Sequence, residues 1–230
     1  MIFYFYQKQN ITLMKMKKTI CFILLSIIFY LQVNAQDPHR FDEEINKFSK
    51  LTIPENEDLI VFTGSSSIRF WENLAKDCDS VNVVNTGFGG SQMSDLLYFL
   101  DQTVLRFKPT EVYIYEGDND IAAEKSPQSI LKTTKLVVEK ILKSNPQIKI
   151  HFISAKPSPS RWSFKNQYVE FNTLLQQYCA THHQLFFVDV WNPMIGENER
   201  PKADIFISDS LHMNRKGYEL WKQIICSEQE

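Results

Sequence analysis

The sequence predicts a three-layer αβα sandwich, with helices on both faces of a five-stranded, mainly parallel sheet. Three observations predict it. Five predominantly apolar runs of four to six residues recur between residues 59 and 188, as strands do when both faces are covered. Between them lie longer stretches with apolar residues at helical spacing. The two patterns alternate along the chain, which is the signature of a parallel sheet sandwiched by helices.

The elements follow in order. Lys15, Lys17 and Lys18 precede an apolar run from Ile20 to Leu31, and Val33-Asn34-Ala35 offers small residues for cleavage before Gln36. Residues 1–35 therefore read as a signal peptide, too short in its apolar run to span a bilayer comfortably. Its lead-in is long, and Met14 or Met16 is an alternative start. Residues 36–58 form a charged leading segment in which Phe41, Ile45 and Phe48 are spaced for one face of a short helix between Asp42 and Leu51. It ends in Ile53-Pro54-Glu55-Asn56. The main domain is expected over 59–230. Its strands are Leu59–Phe62, Val81–Val84, Val112–Tyr115, Ile148–Ile153 and Leu185–Val188, each followed by glycine, proline or a polar turn residue. Ser126 with Pro127 starts a helix carrying Ile130, Thr134, Val137 and Ile141 on one face, and Asn145-Pro146 stops it. Phe164, Tyr168, Phe171, Leu175 and Tyr178 mark a second helix. Asn214 caps a last one, with Tyr218, Trp221 and Ile225 inward.

Composition narrows the function. Of 230 residues, 43% are hydrophobic, and the net charge is −2, falling to −6 once the four lysines of residues 1–35 are removed. A mildly acidic globular chain makes no electrostatic case for nucleic acid. No stable membrane anchor is expected after cleavage, and the destination is periplasmic or secreted. Cys78, Cys179 and Cys226 remain beyond the signal segment. An odd count leaves at least one free thiol or an intermolecular bond, and buried structural thiols are the default expectation. With no Cys-x-x-Cys, neither a zinc nor a redox site is expected.

Ligands of open parallel sheets bind beyond the carboxyl ends of the strands. The first strand is followed there by Gly64-Ser65-Ser66-Ser67 and the second by Asn85-Thr86-Gly87-Phe88-Gly89-Gly90. The third is followed by Glu116-Gly117-Asp118-Asn119-Asp120, and Ser208-Asp209-Ser210-Leu211-His212 precedes the last helix. A serine at a strand-to-helix turn can be exposed, and bare glycine amides can approach a developing oxyanion. Asp209 three residues before His212 can orient the ring and leave its other nitrogen as a base; His39, His151, His182 and His183 lack such an arrangement. Asp118 and Asp120 offer too few ligands for a metal and read as loop-ordering residues. Singly, each block is ordinary; together and in this order they converge on one sheet edge.

The four blocks, over residues 59–225, resemble the SGNH hydrolases, also called GDSL-type esterases, whose fold is flavodoxin-like. The resemblance implies Ser66 as nucleophile, with Gly64-Ser65-Ser66 standing where the family has Gly-Asp-Ser. It implies an oxyanion hole from Ser66, Gly90 and Asn119, and Asp209 with His212 as acid and base. No cofactor or metal is implied. Gly64-Ser65-Ser66-Ser67-Ile68 with Trp71, and Lys156-Pro157-Ser158-Pro159-Ser160-Arg161-Trp162, are similar to the lysophospholipase-like branch. The expected activity is hydrolysis of carboxylic esters with short acyl groups, including O-acetyl groups on glycans or lysophospholipid esters. Phe88, Arg161 and Trp162 either line the substrate or, for the last two, pack and cap the following helix. A non-catalytic glycan-binding protein and a thioesterase are the competing expectations.

Overall fold

The computed structural model describes residues 37–53, 58–79 and 82–226. Residues 1–35, expected as a signal peptide, residues 36 and 54–57 of the leading segment and Val81 of the second apolar run lie outside the described residues. The chain divides into two units, Met1–Arg40 and Phe41–Glu230. In the first, Asp37 Oδ1 accepts the His39 N–H at 2.9 Å.

The second unit opens with α1 (Asp42–Phe48), whose Ile45 and Phe48 are buried. Strand β1 (Ile60–Gly64) runs into α2 (Ser66–Arg69) and then α3 (Leu74–Asp77). Strand β2 (Val83–Gly87) is followed by α4 (Met93–Tyr98) and α5 (Leu100–Thr103). Strand β3 (Glu111–Tyr115) leads to α6 (Asp118–Ala122) and α7 (Pro127–Ser144). Strand β4 (Lys149–Ile153), α8 (Lys165–Cys179), β5 (Leu185–Val188) and α9 (Arg215–Ile225) complete it.

The caps are those expected from the sequence. Ser126 Oγ accepts the Ser129 N–H at 3.3 Å with Pro127 at the first helical position. Asn214 Oδ1 accepts the N–H groups of Lys216 and Gly217 at 2.9 and 3.3 Å. Each satisfies amides that the helix itself leaves open. The strands are all parallel, in the order β2-β1-β3-β4-β5. β1 and β2 extend two and three residues beyond their apolar runs, to Thr63-Gly64 and Asn85-Thr86-Gly87, because the pairing of these two strands with each other continues through the polar residues.

Strand residues alternate between two cores. Val61, Val112, Ile114, Ile150, Phe152 and Leu185 face the core built with α1, α4, α5, α7 and α8. Phe62, Tyr113, Tyr115, Ile153 and Val188 face the other, where Ile68, Trp71, Leu74, Tyr218 and Trp221 close over them. His151 belongs to this second face, stacked between Tyr113 at 4.2 Å and Phe186 at 4.8 Å, with Nε2 3.0 Å from Glu111 Oε2. It is a sheet histidine, not a base at the strand ends. Among the described residues, no helix is long and apolar enough to cross a membrane.

Of the three cysteines expected as thiols, two are joined. Cys78, just after α3, is disulfide-bonded to Cys226, just after α9, and Cys179 is free and buried. The two elements are neighbours in the second core, which sequence spacing does not reveal. The bond spans 148 residues, so it removes much freedom from the unfolded chain. Reduction, or Cys226→Ser, is expected to cost about 2–4 kcal/mol of stability. Urea unfolding with and without reductant measures it; identical midpoints would show the bond to be energetically idle.

Candidate active site

Strand β1 lies between β2 and β3, so chain connections leave it in opposite directions and open a crevice at its carboxyl end. Gly64 makes the exit from that strand. Its φ is +121°, and a Cβ there would stand 2.0 Å from the Tyr115 carbonyl oxygen, so only glycine lets β1 approach β3 so closely. The Ser65 N–H then donates to that oxygen at 3.0 Å, and α2 begins at Ser66.

The three consecutive serines have different fates. Ser65 and Ser67 are buried, at 1% and 3% exposure, and the Ser67 carbonyl accepts from the Tyr218 hydroxyl at 3.0 Å. Ser66 keeps access to solvent. Its Oγ lies 3.0 Å from His212 Nε2. As the first residue of a helix, its amide has no intrahelical acceptor and is open to a ligand.

His212 comes from a loop closed by a bridge between Phe206 and Met213. One carboxylate both builds this turn and holds the ring. Asp209 Oδ1 accepts the Leu211 and His212 N–H groups, each at 2.9 Å. Asp209 Oδ2 lies 2.6 Å from His212 Nδ1. Because a carboxylate only accepts, Nδ1 carries the proton and Nε2 presents its lone pair to the Ser66 hydroxyl. Burial works to raise the Asp209 carboxyl. The ring bond and the two backbone N–H bonds outweigh it and hold the group at about 2. It is therefore charged throughout the neutral range. Phe70, half-exposed, packs edge-on against the His212 ring at 5.1 Å.

The glycine-rich loop after β2 is strapped to the same crevice. The Phe88 N–H donates to the Gly64 carbonyl at 2.8 Å. Asn85 bridges two blocks, accepting the Gly87 N–H at 2.9 Å and donating to the Ile68 carbonyl at 2.7 Å. Gly90 is exposed with φ +83° and open space where a side chain would be. From the third block, Asn119 Nδ2 donates to the Ser91 carbonyl at 2.8 Å. Its second amide hydrogen remains for a ligand. Ser66 at the start of α2, Gly90 in its loop and Asn119 in α6 thus sit on three segments joined by direct hydrogen bonds.

Asp118 and Asp120 begin the helix α6 rather than a loop, and both are buried. Asp120 accepts the Met93 N–H at 2.9 Å and pairs with Lys125 at 3.0 Å. Among the described residues, no cluster of three His, Cys, Asp or Glu side chains is placed to hold a metal.

The expected substrate contacts need correction. Phe88 is fully buried, packed edge-on against Phe41 and Phe99, and has no surface to offer. The flanking glycines let the chain turn its one large side chain into the core. Arg161 stands at the N-cap position of the 3-10 turn Trp162–Phe164 without a side-chain capping bond; it donates to Asp118 Oδ1 at 2.6 Å and to Asn119 Oδ1 at 3.0 Å. Trp162 stacks on Trp191 at 6.0 Å with Lys165 and Arg200 beside it.

The sequence assigns no role to Phe70, or to Glu116 and Lys156 within their blocks. The rule that pointed to strand ends applies equally to Lys156 after β4 and Glu116 after β3. Ser91 Oγ donates to Glu116 Oε1, while Oε2 is buried without a partner among the described residues. Burial, and then the nearby Asp120, push the Glu116 carboxyl well above its usual range. The sign follows: the unfolded chain ionises first as pH rises, so stability falls between the unfolded and folded values, by up to about 1.4 kcal/mol per pH unit. Glu116→Gln removes this dependence. Its melting temperature should gain on the wild type progressively as pH rises above the ordinary carboxylate range, while its activity stays near wild type; a constant difference would mean that Glu116 is not buried neutral.

The sequence pattern of the GDSL-like Lipase/Acylhydrolase family matches residues 60–220. Solved structures share the fold. An acylhydrolase assignment from Bacteroides fragilis has a TM-score of 0.71 at 24% identity, over 84% of this chain and 97% of its own. A GDSL-like lipase from Bacteroides thetaiotaomicron has 0.70 at 21%, over 84% and 100%. A carbohydrate esterase family 3 protein from Talaromyces cellulolyticus has 0.61 at 18%, over 74% and 96%. No curated protein matches the chain.

Proposed function

The chain belongs to the GDSL-like lipase/acylhydrolase family, and from that membership we propose that it is an exported serine esterase acting on small acyl esters through Ser66, His212 and Asp209. One observation carries this reading. A solvent-reachable serine hydroxyl lies 3.0 Å from a histidine nitrogen whose opposite nitrogen is held by a carboxylate at 2.6 Å.

The chemistry runs in two steps. His212 Nε2 takes the Ser66 proton as Oγ attacks the ester carbonyl, and the resulting imidazolium is stabilised by Asp209. The Ser66 and Gly90 amides and the Asn119 side chain meet the oxyanion, an interaction that strengthens only as charge develops. His212 returns the proton to the leaving alcohol. Water then attacks the acyl-enzyme with His212 again as base, and the acid departs.

A small acyl group suits a loop-built sheet edge at which Gly90 is exposed, with open space where a side chain would be. The fold likeness to a carbohydrate esterase adds O-acetyl groups on glycans to the candidate substrates. Export is supported by the basic and apolar pattern of residues 15–35 and by the Cys78–Cys226 disulfide, which persists in oxidising compartments.

The test is a series of p-nitrophenyl esters from acetate to decanoate, assayed on fractions of cells expressing the full chain. Activity should peak at acetate or butyrate, fall with longer acyl groups and appear in the periplasm or medium. Preference for decanoate would overturn the small-acyl assignment, and purely cytosolic activity would overturn export.

A further inference from the structure

Below the crevice lies a buried ionic cluster that the two-step chemistry does not use. Asp118 is 4% exposed and Lys156 1%. Lys156 Nζ stands 3.5 Å from Asp118 Oδ2, and the Tyr115 hydroxyl donates to the same oxygen at 2.9 Å. Asp118 Oδ1 accepts from Arg161 Nη1 at 2.6 Å and from the Tyr168 hydroxyl. Burial works to raise Asp118, but Lys156 and Arg161 overcome it and hold the carboxyl at about 2. Buried ion groups of this kind add little to stability compared with apolar packing, so stability alone is a weak reason for their presence.

Each cation in the cluster also reaches outward, to a different half of the site. Arg161 Nη2 donates to Asn119 Oδ1 at 3.0 Å. A guanidinium has only donors, so it selects one of the two amide orientations: Oδ1 faces Arg161, and Nδ2 is turned toward the Ser91 carbonyl and the oxyanion space. Lys156 Nζ donates to the Leu211 carbonyl at 2.8 Å. The same segment is strapped to the loop again where the Ser160 N–H donates to the Ser210 carbonyl at 3.1 Å. The two residues immediately before His212 are therefore both tied down.

We infer that the Asp118–Lys156–Arg161 cluster is a positioning device that sets the Asn119 amide and the His212 loop from one buried carboxylate. The inference rests on the esterase reading of Ser66 and His212. Lys156 and Arg161 touch no substrate; they act through Leu211 and Asn119. Displacing a reacting group by about an ångström can cost about 10²-fold in rate.

Arg161→Lys and Lys156→Met test it in the full chain. Each is measured for kcat and KM on p-nitrophenyl acetate, for melting temperature, and by proton NMR for the Nδ1–H shared by His212 and Asp209. A lysine at 161 keeps the charge but cannot fork between Asp118 and Asn119. Its kcat should fall about 10–100-fold with KM within about twofold, and the Nδ1–H resonance should stay in place. Lys156→Met should lower kcat similarly and also shift or broaden that resonance. Wild-type kcat in folded Arg161→Lys, whatever its melting temperature, would assign the cluster to stability and overturn the inference. An unchanged resonance in folded Lys156→Met would overturn the link to the His212 loop. If Lys156→Met does not fold, the Arg161→Lys arm decides alone. A wild type without ester hydrolysis would fail the esterase reading, while the resonance arm still decides the positioning of His212, since it needs no turnover.

Discussion

Ser66→Ala is expected to lower kcat on p-nitrophenyl acetate by about 10⁵-fold or more while leaving the melting temperature close to wild type. The hydroxyl is the only atom the substitution removes, and it sits in a partly open position where its absence creates no buried cavity. Its neighbours provide the controls. Ser65 is anchored through its amide to Tyr115 with its side chain buried, and Ser67 is buried beneath the Tyr218 hydroxyl bond. Ser65→Ala and Ser67→Ala should stay within about tenfold of wild type, with effects that track stability, the usual range for a buried polar group being about 1–3 kcal/mol. Loss confined to Ser65→Ala would mean that the nucleophile is one residue earlier. A folded wild type inactive on every acyl ester would bring the binding-protein reading forward.

Asp209→Asn is expected to lower kcat by about 10³–10⁴-fold, and the reason lies in the turn. Two backbone N–H groups, from Leu211 and His212, point at Oδ1. An asparagine must keep its carbonyl oxygen there, which forces its amide nitrogen into the place of Oδ2, facing His212 Nδ1. An N–H donor in that place turns Nδ1 into an acceptor and moves the ring proton to Nε2. The base then presents a hydrogen to the Ser66 hydroxyl in place of a lone pair. The turn itself survives, so the melting temperature should change little. Steady-state kinetics on the acetate ester decides: a loss below about tenfold would mean that His212 selects its tautomer without Asp209.

The first and second apolar runs show what a local pattern can and cannot reveal. Leu59–Phe62 and the run ending at Val84 are legible as strands because buried parallel strands are predominantly apolar. Their polar continuations, Thr63 and Asn85-Thr86, are strand because β1 and β2 pair with each other there, Thr63 having β3 on its other side as well. The helix of residues 127–144 is legible to within a residue at each end, since Ser126-Pro127 and Asn145-Pro146 act through bonds to their own backbone. Phe88 between glycines misled, because a flexible loop appears exposed whichever way its one large side chain turns. The burial of Lys156 is not legible locally, because a lysine after a strand is ordinarily solvated and its partners Asp118 and Leu211 lie far off in the chain.

What the sequence determined by itself is the five strands and their parallel arrangement, the helix before the first strand and the three long helices α7, α8 and α9, and the four polar blocks gathered at one sheet edge. Period, capping and turn chemistry all operate within a few residues, so they are written locally. What only the tertiary structure decided is which polar group in each block faces outward. Ser66 and His212 are 146 positions apart, Cys78 and Cys226 148, and Lys156 and Leu211 55. Whether such groups meet depends on the twist and order of the sheet and on which side chains fill its two cores. Neighbours as alike as Ser65, Ser66 and Ser67 are told apart by burial, a property that no single stretch of chain possesses.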